Sequence, residues 1–235
     1  MRLLAAVNRA WTYLMGEPRL LTETEWLTSV NPVPMLEYLG RNASGRKLRL
    51  FACACCRRHW PAFDESARAA VEAAERQAEG SITVEQWQAA CAEARRVLGT
   101  YFWSGDRFAI QHTALQTLDE DAWQAAFLTS AGFTVILDRA TSDREDVAEC
   151  ASLRCLFGNP FHPVVCDPAW LSWHDGLVVS IARRIDHDRD FTDMPVLADA
   201  LEEAGCTDAE ILNHCCHPGE HVRGCWVVDL LLGKM

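Results

Sequence analysis

Residues 46–60 read RKLRLFACACCRRHW. Leu48, Phe51, Ala52, Cys55 and His59 recur at helical spacing, and Leu50, Cys53, Ala54 and Cys56 cover the flanks of that stripe. A helix apolar on all sides in its middle has to be buried by its neighbours, so this stretch is expected to be the central helix of the fold. Its charges gather at the ends, Arg46, Lys47 and Arg49 first and Arg57 and Arg58 last. The later pair suits the negative end of a helix dipole, where a cation contributes about 0.3–1 kcal/mol. The earlier group sits at the unfavourable end and requires a carboxylate partner, which makes it an intramolecular salt-bridge face.

Outward from this segment the chain keeps a helical period. Thr22 with Glu25 and Thr83 with Gln86 have the spacing of capping boxes. Glu65 to Gln77 is rich in Ala and Glu, and Val84 to Phe102 carries Trp87, Ala90, Cys91, Ala94, Val97 and Leu98 at helical intervals. Asp119 is expected to cap a helix from Ala122 to about Arg139. Within that helix, Gly132 to Leu137 is the one run where strand propensity competes. Further helices are expected from Ser142 or Asp143, from His174 to His187, from Met194 to Ala204, and from Asp208 to Cys215 with Thr207 as its cap. A last helix is expected to begin near Glu220. Between them, residues 160–168 hold three prolines and read as a surface loop, with Trp170 and Trp173 plugging it onto the core. Strands do not alternate with helices, so the expected fold is all-α: a compact bundle or orthogonal array of about eight to ten helices. Residues 1–20, with Leu3, Leu4, Val7, Trp11 and Leu14 on one face, form an amphipathic N-terminal extension to a single helical domain over 21–235.

The net charge of −11 is unevenly spread: residues 1–60 hold nine Lys/Arg against four Asp/Glu, and the remainder thirteen against twenty-nine. An acidic whole opposes nonspecific phosphate contacts, so nucleic acid is not an expected partner. The apolar run near the C-terminus is short and broken by Asp229, so no membrane span is expected. Eleven cysteines is an odd number. Asn8 and Arg9 interrupt the N-terminal apolar stretch and no small-residue cleavage site follows, so a cytoplasmic protein with reduced thiols is expected.

Soft ligand atoms crowd residues 214–225, where His214, Cys215, Cys216, His217, His221 and Cys225 occur together. Zinc takes thiolate and imidazole in tetrahedral sets of four. On a helix starting near Glu220, His221 and Cys225 would be stacked i, i+4 neighbours, and Cys55 and His59 repeat that relation on the central helix. The candidate metal set is therefore Cys55, His59, His221 and Cys225, with His214 or Cys215 as substitutes. Small buried hydrophobes are the competing reading of such cysteines. A metal-dependent phosphohydrolase of the all-α HD type would need His174 with Asp175, or His187 with Asp188, joined by His112 or His162 and by Asp229. Cys53 and Cys56 form a CxxC in mid-helix, whereas redox pairs start a helix. Asp229, flanked by Val228 and Leu230, is expected to be buried and paired with an arginine, Arg223 or Arg49 first.

The strings RKLRLFACACCRR (46–58), LFGNPF (156–161), PVLADALEEAGC (195–206) and HVRGCWVVDLLLGK (221–234) resemble a family of uncharacterised paralogous proteins abundant in planctomycete bacteria. The resemblance runs from about Leu21 to Lys234 and implies kinship without assigning a reaction, a ligand or catalytic residues. Residues 1–20 lie outside its pattern. With no assembled catalytic set, the expected function is non-enzymatic: a protein-interaction or regulatory helical domain, its partner another protein, with Trp26, Trp103, Trp170 and Trp173 as candidate anchors. The alternatives are a zinc-binding structural domain and the HD-type phosphohydrolase.

Overall fold

A computed structural model describes residues 21–40, 43–100, 106–217 and 219–234. Among them the α-helices are, in order, α1 (Glu23–Thr28), α2 (Pro32–Leu39), α3 (Gly45–Arg58), α4 (Glu65–Ala78), α5 (Val84–Thr100), α6 (Asp106–Leu115), α7 (Ala122–Ile136), α8 (Arg139–Phe157), α9 (Pro168–Ser172), α10 (Leu177–Asp188), α11 (Met194–Glu203), α12 (Ala209–Cys216) and α13 (Trp226–Leu232). No strand occurs among the described residues, and the all-α expectation stands. The helices outnumber the eight to ten expected because short connections such as 168–172 take helical turns of their own. The amphipathic stretch from Leu3 to Met15 and Trp103 lie outside the described residues.

Helix α3 is the axis. α4, α7 and α8 pack directly on it, so that Leu48, Leu50, Phe51, Ala52, Cys53, Cys55 and Cys56 are all buried. α5 covers α4, and α6 lies across α4 and α7. Helices α6 and α7 approach so closely that a Cβ at Gly132 would lie 2.5 Å from Thr113 Oγ1, and the strand-like run that follows Gly132 is helical through Ile136. A second layer of α10, α11, α12 and α13 closes the other side, α13 resting mainly on α10. One apolar core runs through both layers, from Leu21 to Leu231.

The caps show where sequence reading was sound and where it slipped. Both expected capping boxes form, Thr22 with Glu25 and Thr83 with Gln86. The starts expected at Glu65 and Met194 are also found there, whereas three others are displaced to the aspartate whose carboxylate reaches the first free N–H groups: Asp121 instead of Asp119, Asp138 instead of Ser142 or Asp143, and Asp208 instead of Thr207. α10 starts at Leu177 and not at His174, because His174 and Asp175 take left-handed backbone conformations, φ 44° and 56°. The last helix starts at Trp226 and not near Glu220. Gly224, at φ +85°, turns the chain where a Cβ would lie 2.6 Å from Leu50 Cδ1, so the turn is pressed onto α3.

The cations at the start of α3 find different partners from one another. Arg46 forks onto Asp229 at 2.5 and 3.1 Å and also reaches Glu79 at 2.7 Å. Asp229 thus pairs with Arg46 and not with Arg223 or Arg49, because the guanidinium at the start of α3 reaches across to α13. Lys47 donates to the Leu156 carbonyl at 2.7 Å, and Arg49 to the Thr117 carbonyl at 2.6 Å. The Leu156 carbonyl belongs to the last turn of α8, whose negative dipole end serves in place of a side-chain anion. At the far end of α3, Arg57 pairs with Glu75 and Arg58 with Glu145. Burial pushes the Asp229 carboxyl up, and Arg46 and Lys47 only partly oppose it. Ion pairs of this kind add little relative to an apolar replacement, but removing one partner strands the other.

Glu149 of α8 is fully buried and accepts the Ser130 hydroxyl, with Arg58 nearby but engaged elsewhere. Burial raises its carboxyl to about 7 against the restoring effects of Ser130 and Arg58. A carboxyl that holds its proton more tightly folded than unfolded favours folding at low pH, and that advantage is lost as pH rises through the folded value. The cost of ionising it in the folded state is on the order of 3 kcal/mol.

Two thermal or denaturant unfolding measurements check these contacts. Asp229→Asn is expected to lose about 3 kcal/mol by breaking the fork to Arg46, which keeps Glu79, and by removing the carboxylate nearest Lys47; an unchanged melting temperature would show the pair to be dispensable. Glu149→Gln, which keeps a partner for Ser130, is expected to be more stable than the wild type at pH 8, with the difference shrinking as pH falls from about 7 toward 4.5. A stabilisation independent of pH would contradict the titration.

Candidate metal centre

Three pieces of chain meet beside the N-terminal half of α3. Cys155 comes from the last turns of α8 and His214 from α12. His221 and Cys225 come from the turn before α13, with Cys225 at its N-cap position. The turn is fixed by the Cys225 N–H donating to the Val222 carbonyl at 3.0 Å, and by Gly224 lying against Leu50 and Leu156. The Val222 N–H in turn donates to Cys155 Sγ at 3.4 Å, locking this stretch of backbone to α8.

One donor atom from each of the four residues lies within 4.8 Å of all the others. His214 Nε2 is 3.2 Å from Cys225 Sγ, His221 Nδ1 is 3.8 Å from Cys155 Sγ, and His221 Nδ1 is 3.9 Å from Cys225 Sγ. Ligand bonds of ~2.3 Å to sulfur and ~2.0–2.1 Å to nitrogen at tetrahedral angles would give edges of about 3.3–3.8 Å. Three of the separations lie at or close to that range, and the four atoms together could hold a metal ion. The imidazoles meet edge to face, with 4.8 Å between ring centres.

Both thiols are buried, whereas the two histidines are partly exposed. Burial alone would raise Cys225, but hydrogen bonds from Cys155, His214 and His221 outweigh it and hold this thiol well below the ordinary range. Cys155 moves the opposite way, raised first by its hydrogen bond to Cys225 and then by burial. The Lys47 ammonium lies close enough to both sulfurs to favour their anionic forms.

The structure brings together His221 and Cys225 with the substitute His214, but not as stacked residues of one helix; they converge through a turn. Cys55 and His59 stand elsewhere. Cys55 is buried beside Glu149 in the core, and burial raises its thiol. His59 ends α3, stacks on Phe133 with 4.3 Å between ring centres, and places Nε2 3.2 Å from Glu145. Glu145 has drawn the imidazole away. Cys215 faces the core at 1 % exposure. The residue that sequence reasoning missed is Cys155, which stood among core-spaced cysteines with no local mark; only the proximity of α8 to the final turn identifies it.

The residues of the HD-type reading do not gather. His187 contacts its neighbour Asp188 at an exposed helix end, His162 contacts Glu23, His112 packs on Gln116, and Asp229 is held by Arg46. Among the described residues the Cys155–His214–His221–Cys225 group is the one metal-capable set of three or more side chains. Cys53 and Cys56 are buried in mid-helix, and burial raises both thiols, the reverse of a redox pair. The eleven cysteines are all free thiols. Of the tryptophans expected as anchors, Trp26 is fully buried and Trp170 is 8 % exposed, so both serve the core. No described helix is long and apolar enough to cross a membrane. No protein-family model matches the chain, and neither does any curated protein or solved structure.

Proposed function

We propose that the chain is a non-enzymatic, zinc-stabilised helical binding domain in which Cys155, His214, His221 and Cys225 hold one structural Zn²⁺. The observation that carries this reading is the convergence of two sulfurs and two ring nitrogens at near-tetrahedral separations. Two thiolates and two imidazoles are a donor set that suits zinc, and all four ligands come from protein, leaving no open position for a reacting water. Two thiolates would neutralise the ion's charge, which suits a site with buried sulfurs. The ion would join α8, α12 and the turn before α13, segments up to seventy residues apart in sequence, and so fasten the outer helical layer to α8. Free thiols at such a site fit a reducing compartment such as the cytoplasm.

Metal analysis of protein purified without a polyhistidine tag is expected to find about one zinc per chain, and a strong chelator is expected to lower the melting temperature markedly. Cys225→Ser and His214→Ala should each retain little zinc, whereas Cys55→Ser and His59→Gln should retain it. Wild-type protein holding less than about 0.2 zinc per chain after supplementation, with a melting temperature indifferent to chelator, would remove the proposal.

A further inference from the structure

Beside the metal centre lies a cleft of about 330 Å³ lined by Leu50, Ala54 and Val222 and by three arginines, Arg57, Arg189 and Arg223. All three turn toward a single carboxylate, Glu75. Arg57 forms a two-toothed pair with it at 2.8 and 2.8 Å, Arg189 reaches it at 3.1 Å, and Arg223 stands off at 3.9 Å. The Arg223 Nε is buried without a hydrogen-bond partner, 3.7 Å from a Glu79 that Arg46 and Lys234 already engage. Glu220 adds one carboxylate at the exposed rim. In a chain of net charge −11, this hollow gathers three guanidinium groups around one shared carboxylate, and one of them, Arg223, has a buried Nε without a hydrogen-bond partner.

The walls give the cleft a second property. Phe191 and His221 stack with 5.8 Å between ring centres and 19° between planes, presenting a flat aromatic side. Arg189 is delivered to the cleft from the end of α10 by a left-handed backbone, φ 56°, where glycine or asparagine is the ordinary occupant. Guanidinium forks match phosphate oxygens in twos, and a phosphate monoester carries a charge close to −2 at neutral pH. A volume of this size takes a phosphate with one ring attached and not much more.

We propose that this cleft binds a small phosphate monoester, its phosphate taken by Arg189, Arg223 and Arg57 and its organic group laid against Phe191 and the outer face of His221, with Glu75 holding the arginines together until the phosphate arrives. The inference stands on the cleft's own residues and goes beyond the zinc reading, although His221 is common to both.

Titration calorimetry with phenyl phosphate, and with inorganic phosphate as competitor, tests it on the full chain. Phenyl phosphate should saturate one site per chain, inorganic phosphate should displace it more weakly, and added salt should loosen both. Arg189→Gln, at a half-exposed position where folding is not at stake, should weaken phenyl phosphate at least about tenfold. Glu75→Gln should tighten it, because the competing carboxylate is gone; a purely structural carboxylate would give no gain. Zinc content measured on each variant separates loss of the cleft from loss of the metal centre. Absence of saturable binding by the wild type, or equal affinity in the wild type and Arg189→Gln, would overturn the proposal.

Discussion

The structure depends on how closely the turn at residues 222–225 is pressed onto α3 and α8. Gly224 leaves no room for a side chain against Leu50 and Leu156, and Asp229, one helical turn past Cys225, is buried beneath Arg46. These two contacts fix the end of the chain on its central helix from both sides of Cys225. Once the turn is seated there, Cys225 and His221 can face only the end of α8 and the exposed side of α12, where Cys155 and His214 wait. The ligand cluster is thus a consequence of packing elsewhere, and a bound ion would reinforce a geometry that the apolar and ionic contacts already favour.

The same helix explains the uneven charge of the chain. The described cations of the first sixty residues are engaged inside the fold: Arg46, Arg57 and Arg58 take acidic partners from α13, α4 and α8, and Lys47 and Arg49 end on backbone carbonyls. Desolvating so many charges is costly, and in compact interiors such pairs set position more dependably than they add stability. Glu149 shows the cost plainly, a carboxyl whose surroundings favour its protonated form near neutrality. The arginine cleft is the counterpart, the place where three guanidinium groups converge on one carboxylate, Glu75.

Much of the fold was legible from local patterns. The all-round apolar middle of 46–60 required a buried axis, and the spacing of Thr22 with Glu25 and Thr83 with Gln86 fixed two helix starts. Where two capping residues competed, as Asp119 did with Asp121 and Thr207 with Asp208, the pattern could not choose, because the decision rests on which carboxylate reaches the first free N–H groups. The candidate site was half legible. His214, His221 and Cys225 stood out by density, but the assumption of a helix from Glu220 overlooked the turn that Gly224 imposes. Cys55 and His59 do occupy successive turns at the end of α3, yet a neighbour distant in sequence, Glu145, claimed the imidazole. Cys155 could not be separated from Cys150 or Cys91 by spacing, since all three lie at core positions of helices, and only the tertiary approach of α8 distinguishes it.

The central claim is that two sulfurs and two ring nitrogens, drawn from α8, α12 and the final turn, surround one zinc ion. X-ray absorption at the zinc edge reads that shell directly in the purified protein. The account predicts two sulfur neighbours at about 2.3 Å and two imidazole nitrogens at about 2.0–2.1 Å, with the sulfur signal halved in Cys155→Ser. A shell of oxygen and nitrogen alone, or a full sulfur signal surviving the loss of Cys155, would contradict it.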